Sequence, residues 1–94
     1  MFRIVVRPQA AAQIRRLRRV DAVAILDAIE THLRHEPDHV SRGRIKRLRG
    51  SHAATYRLRV GNYRVFYDLA ETEVIVTVVL HKRDTTEFCR EKPS

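Results

Sequence analysis

Tyr56-Arg57-Leu58-Arg59-Val60-Gly61-Asn62-Tyr63-Arg64-Val65-Phe66-Tyr67-Asp68 reads as two alternating strands joined by a two-residue Gly-Asn turn. The turn sets the register. Val60 falls opposite Tyr63, Arg59 opposite Arg64, and Arg57 opposite Phe66. Side chains alternate between the faces of a strand, so Tyr56, Leu58, Val60, Tyr63, Val65 and Tyr67 make an apolar face able to line a core. Arg57, Arg59 and Arg64 gather on the opposite face. Like charges placed directly opposite cost up to about 1 kcal/mol per pair. A hairpin shaped by stability alone would place an acid at one of these positions, so the pattern points to an anionic partner that removes the repulsion.

Working outward, Phe2-Arg3-Ile4-Val5-Val6-Arg7 reads as a short strand, and Pro8 suits the first position of a helix. Ala11, Ile14 and Leu17 mark the buried face of that helix, with Arg15, Arg16, Arg18 and Arg19 on its exposed side and end. Asp21 is the expected N-cap of a second helix, whose apolar positions are Ala22, Ile25, Leu26, Ile29 and Leu33 and which Pro37 stops. A basic loop then runs from Pro37 to Ser51, carrying Arg42, Arg44, Lys46, Arg47 and Arg49 around Ile45 and Leu48. After the hairpin, Glu73-Val74-Ile75-Val76-Thr77-Val78-Val79-Leu80 is nearly all apolar and β-branched, as expected of an interior strand covered on both faces. His81-Lys82-Arg83-Asp84 follows at its end, and residues 85–94 read as a flexible tail. The expected fold is α+β: an N-terminal strand and a helical hairpin packed on an antiparallel sheet that a C-terminal β-meander completes. The helices cover one face and leave the arginine face open.

With 94 residues the chain makes one domain over residues 1–94. A hydrophobic content of 44% excludes a disordered polyelectrolyte, and a formal net charge of +8 points to phosphate-rich or acidic partners. The lysines are Lys46, Lys82 and Lys92 only, so the positive charge is mainly arginine, whose planar fork suits bidentate phosphate contacts. The single cysteine, Cys89, allows no internal disulfide and reads as an inert thiol. No apolar run has the length of a membrane span and the N-terminus lacks a signal-peptide pattern, so a cytoplasmic location is expected. His32, His35 and His39 cluster near the end of the second helix, but no cysteine or ordered acid completes a ligand set, and no metal or cofactor is expected.

This order of elements, with Lys46-Arg47-Leu48-Arg49-Gly50, the hairpin and His81-Lys82-Arg83-Asp84, resembles the RelE/ParE superfamily of type II toxins over nearly the whole chain. The resemblance to RelE-like members implies a metal-independent endoribonuclease that cuts messenger RNA in the ribosomal A site. In that chemistry the ribose 2′-hydroxyl attacks the adjacent phosphate, leaving a cyclic phosphate and a free 5′-hydroxyl. Carried over by position, Arg57 and Arg59 match the basic residues of the first hairpin strand, Arg64 the arginine after the tyrosine of the second, and Arg83 the arginine after the last strand. Preorganised guanidinium groups suit a pentacovalent phosphorane, which gains negative charge. The resemblance also implies an acidic antitoxin partner, alongside messenger RNA and the ribosome.

Two departures bear on proton transfer. RelE-type enzymes commonly place a tyrosine shortly after the last arginine; here the segment is Asp84-Thr85-Thr86-Glu87-Phe88-Cys89, where Phe88 can stack on a base but moves no proton. Arg57 stands where a lysine often acts as base, and arginine stays protonated in proteins. His81 is the remaining candidate for acid–base work, with Glu87 behind it. Arg42, Arg44, Lys46, Arg47, Arg49 and Lys82 are expected to extend the track for RNA phosphates. Two other readings stay open: a ParE-like inhibitor of DNA gyrase, and a non-toxic relic that still binds its antitoxin.

Overall fold

The computed structural model describes residues 1–49 and 54–85. Strand β1 (Arg3–Val6) leads into helices α1 (Pro8–Arg15) and α2 (Arg19–Leu33), followed by β2 (Ile45–Arg47), β3 (Tyr56–Val60), β4 (Tyr63–Leu69) and β5 (Glu73–His81). A single 3-10 turn, Lys82–Asp84, closes the described chain. The five strands form one sheet in the order β1-β5-β4-β3-β2. The α+β reading holds, with two additions. β1 pairs parallel with β5, so the sheet is mixed, and the basic segment read as a loop contributes β2, antiparallel to β3.

The helices cover one face. Ala10 and Ile14 of α1 and Ile25, Ile29 and Leu33 of α2 are buried against Tyr56, Leu58, Val65, Tyr67, Val74, Val76 and Val79. Each of these inward α2 residues follows the last by four, the spacing that keeps one helix face on a sheet. Tyr67 is fully buried, stacks on Tyr56 with ring centroids 5.5 Å apart, and donates its hydroxyl to the Pro37 carbonyl at 2.6 Å. That bond fixes the chain where it leaves α2.

Two local readings change. α1 does begin at Pro8 but ends at Arg15, so Leu17 lies beyond it and packs on the core from the connection. α2 begins at Arg19, two residues ahead of the expected cap, and Arg18 takes the cap position without a side-chain bond. Asp21 instead sits in the first turn, where a carboxylate favours the helix dipole. Its Oδ2 accepts the Tyr63 hydroxyl at 3.4 Å and lies 3.8 Å from Arg18 Nε.

The hairpin register is the expected one: Val60 opposite Tyr63, Arg59 opposite Arg64, and Arg57 opposite Phe66. Gly61 carries a φ of 57°, while Asn62 keeps a negative φ, the pattern of a II′ turn. Between β4 and β5 the register slips: Phe66 faces Val78 but Tyr67 faces Val76, which leaves Thr77 as the extra residue of a β-bulge. Thr77 Oγ1 donates to the Phe66 carbonyl at 3.1 Å. Because side chains alternate with period two, one extra residue reverses the facing of everything after it. Val74 and Val76 point to the helices, and so do Val79 and His81, while Val78 and Leu80 turn to the other face.

Candidate nucleic-acid interface

The face away from the helices is built in rows across the ladder. One row runs Leu80, Arg64, Arg59; the next runs Val78, Phe66, Arg57, Lys46. β2 therefore adds a fourth cation to the three read from the hairpin, since Lys46 is paired opposite Arg57. Among the described residues no ion pair involves any of the four. The nearest carboxylate in the ladder, Asp68, is taken by Thr55, accepting its backbone N–H at 2.7 Å and its hydroxyl at 2.8 Å.

Burial gives the cluster its character. Arg57 is half-buried and its Nε, fully shielded from solvent, has no hydrogen-bond partner. Arg64 is also half-buried; its Nη1 donates to the carbonyls of Gly61 at 3.1 Å and Tyr63 at 2.9 Å. Burial first, and then the positive charges of Arg57 and Arg59, hold the Arg64 guanidinium below its ordinary range. Arg59 is exposed and reaches over the turn at Gly43, where an added Cβ would meet its Nη1 at 3.8 Å.

This face is less open than the sequence suggests. Phe66 is fully buried in a small apolar cluster with Ala54 and Val78, against which Leu48 and Leu80 pack. The cluster forms an apolar floor beside the arginines. A cation beside such a floor is partly desolvated, which strengthens its pull on an anion.

The other expected site residues divide. Lys46 joins the arginine face, but Arg47, one residue on, points the opposite way and lies 5.7 Å over the Tyr56 ring. Arg44 lines a cavity of about 160 Å³ at the end of α2 with His32, His35, Glu36, His39 and Ser41. There burial first, and then Arg44, hold His32 below the usual imidazole range. Arg42 and Arg49 are exposed on the flanks of β2. The five basic residues of this segment thus do not form one track, because a strand, unlike a loop, alternates its side chains. Lys82 and Arg83 are exposed on the 3-10 turn, next to the hairpin tip, where the Lys82 N–H donates to the Asn62 carbonyl at 2.7 Å. His81 is opposite Tyr63 in the ladder, on the helix-covered face and away from Arg57, Arg59 and Arg64. The bulge at Thr77 puts it there; unbroken alternation would have set it among the arginines. Glu87, Phe88 and Cys89, and the tail beyond residue 85, lie outside the described residues. Among the described residues no group of three or more His, Cys, Asp or Glu is arranged to hold a metal ion, and no helix is long and apolar enough to cross a membrane.

The five-stranded mixed sheet backed by two helices is shared with known proteins. The family model for the ParE toxin of type II toxin-antitoxin systems matches residues 4–85, and the chain belongs to that family. Among solved structures, it resembles a chain of the toxin-antitoxin complex RelBE2 from Mycobacterium tuberculosis, with a TM-score of 0.73 and 26% identity over 85% of this chain and 96% of that one. It also resembles chains of the RelE-RelB complex from Pyrococcus horikoshii (TM-score 0.71, 20% identity, 88% of this chain and 97% of that one) and of the RelB-RelE complex from Methanococcus jannaschii (0.66, 21%, 89% and 96%). No curated protein matches the chain. The protein is a type II toxin of the RelE/ParE superfamily.

Proposed function

We propose that the toxin is a ribosome-associated endoribonuclease that holds the messenger RNA backbone on the face carrying Lys46, Arg57, Arg59 and Arg64. The observation that supports this reading is the orphaned, buried Nε of Arg57 inside a cluster of cations with which no acid pairs among the described residues. A buried donor left unpaired costs about 1–3 kcal/mol. A phosphate held by the four cations would relieve their repulsion, and a shift of the Arg57 side chain toward it would free the shielded Nε to donate. In the reaction the 2′-oxygen bonds to phosphorus and the bond from phosphorus to the 5′-oxygen breaks, giving a 2′,3′-cyclic phosphate and a 5′-hydroxyl. The 2′-hydroxyl proton leaves through water and the 5′-oxygen takes one up. The chain's own part is to orient the phosphate and to stabilise the charge that builds on the phosphorane, with Arg83 adding to it from the neighbouring turn.

The partner in the cell is an antitoxin. The similar structures are complexes with RelB, and the +8 charge of this chain calls for an acidic one. Inhibition of DNA gyrase is the second reading, favoured by the match to the ParE family model. Purified toxin incubated with programmed ribosomes and, separately, with gyrase and relaxed plasmid tests both. Cleaved messenger with cyclic-phosphate ends and unimpaired supercoiling supports the ribonuclease; intact messenger with blocked supercoiling overturns it in favour of gyrase.

A further inference from the structure

The imidazole of His81 is placed for a task other than proton transfer. Its Nδ1 accepts the backbone N–H of Arg83 at 3.2 Å and so caps the 3-10 turn Lys82–Asp84. An imidazole nitrogen accepts a hydrogen bond only through its lone pair, so while this bond is made Nδ1 carries no proton. In that state the one basic nitrogen is already engaged, and no lone pair remains for a 2′-hydroxyl proton. The ring is also held from the side: it meets Tyr63 edge-on, with centroids 5.3 Å apart and planes at 76°. Tyr63 is in turn tethered through its hydroxyl to Asp21, beside Arg18. The start of α2, the tip of the hairpin and the turn bearing Arg83 are thus connected through one imidazole.

We propose that His81 is a positioning residue: it holds the backbone turn that presents Arg83 at the end of the arginine face, and it takes no proton from the substrate. Three further bonds hold the turn: Lys82 N–H to the Asn62 carbonyl at 2.7 Å, and the Thr85 N–H and Thr85 Oγ1 (2.9 Å) to the Lys82 carbonyl, the oxygen of the peptide unit whose N–H is that of Arg83. Among the described residues, the His81 bond is the one that takes up the Arg83 N–H. The proposal rests on the ribonuclease reading for the use made of Arg83, but not for the cap itself.

Two variants separate the roles. His81→Asn keeps a short side-chain acceptor of the kind preferred at helix starts, while His81→Phe keeps a ring against Tyr63 and loses the acceptor. Amide exchange at Arg83, followed by NMR on the isolated toxin, should quicken about 5-fold in His81→Phe, the equivalent of one lost cap, and stay near the original rate in His81→Asn. Messenger cleavage should follow the same order, and in an Arg83→Ala background His81→Phe should add no further loss. Two results overturn the proposal: unchanged Arg83 exchange in His81→Phe, or cleavage abolished in His81→Asn while the Arg83 amide stays protected, which makes the imidazole a proton-transfer group. If the unaltered toxin cuts no RNA, the ribonuclease reading fails alone, and Arg83 exchange still decides whether His81 holds the turn.

Discussion

Lys46 lies directly opposite Arg57 across the β2–β3 ladder, and one row along Arg59 lies opposite Arg64 across β3–β4. Two facing pairs of like charge occupy adjacent rows of one sheet face, with no acid paired to them among the described residues. Each pair is a local cost of up to about 1 kcal/mol that the core beneath must offset. Sheet stability and the needs of an anion site therefore oppose each other at these four positions, and substitutions should separate the two.

Arg59→Ala makes the separation cleanest, because the side chain is exposed and its loss opens no cavity. Its removal relieves the contact with Arg64. The variant should unfold in urea at the same midpoint as the unaltered chain or slightly above it, a gain of a few tenths of a kcal/mol at most. Messenger cleavage should fall at the same time. A loss of stability beyond about 1 kcal/mol would show that Arg59 serves the fold.

RNA binding should weaken linearly on a plot of log affinity against log salt. Four phosphate contacts on a single strand, at about 0.7 each, give a slope near −3. Lys46→Ala should flatten the slope by about one such contact, whereas Arg47→Ala should leave it alone. Arg47 is the neighbour in sequence but lies over Tyr56 on the other side of the sheet. Equal effects from both would mean that the alternation of β2 has no bearing on the RNA.

The contrast between Lys46 and Arg47 also marks what the sequence could and could not convey. The hairpin from Tyr56 to Asp68 was legible to the level of facing pairs, because a two-residue turn leaves one register and the alternation is strict. β2 was not. It is three residues long, Ile45-Lys46-Arg47, and three residues in a basic segment carry too little periodicity to be told from a loop. The face that His81 takes was hidden for a different reason. β5 is apolar at nearly every position, so its composition cannot reveal a bulge at Thr77, and one unrecognised extra residue turns every later side chain to the wrong face. The cover over Phe66 is not legible in the hairpin itself because other segments of the chain make it, Ala54 and Val78 among them. Asp21 has the right chemistry for a cap, but the hydroxyl of Tyr63, a tertiary partner 42 residues away, claims it.

Tyr67→Phe should destabilise the toxin by about 1–3 kcal/mol, since it strips the Pro37 carbonyl of a buried partner without changing the packing of the ring. Burial first, then Tyr56 and Asp38, push the Tyr67 hydroxyl above its ordinary value. The folded chain thus keeps this proton at a pH where the unfolded chain gives it up. Stability should therefore decline as pH rises past about 10, the ordinary tyrosine value, and Tyr67→Phe should remove that component of the alkaline loss. Urea midpoints of both proteins between neutral and alkaline pH measure it.

His32 acts at the other end of the scale. Its folded-state value is lowered, so below about pH 6.5 the unfolded chain takes up a proton that the folded chain resists. The stability this group contributes is present above that pH and is lost as pH falls toward the lower folded value. His32→Gln should flatten the acid limb of the stability curve, and an unaltered limb would assign the loss to other groups.

The charge on the reacting phosphate should be carried by guanidinium groups, with no metal bonded to it. A divalent cation needs oxygen or neutral nitrogen donors, and Lys46, Arg57, Arg59 and Arg64 offer none, while Asp68 is already bonded to Thr55. Four positive charges on one face also repel a fifth. Chelators are a poor probe, because ribosomes themselves require magnesium, so the phosphate is the better place to look. Replacing one non-bridging oxygen of the scissile phosphate by sulfur weakens a bond to magnesium far more than one to a softer metal. If guanidinium groups hold the phosphate, the sulfur-substituted messenger should be cut more slowly with each stereoisomer, and added manganese or cadmium should restore neither. Restoration by the softer metal would place an ion on the phosphate and displace the arginines from the central role. Arg64→Ala should behave in the opposite manner: slow with the natural messenger, and with the additional penalty from sulfur reduced, because the donor that sensed the substitution has gone.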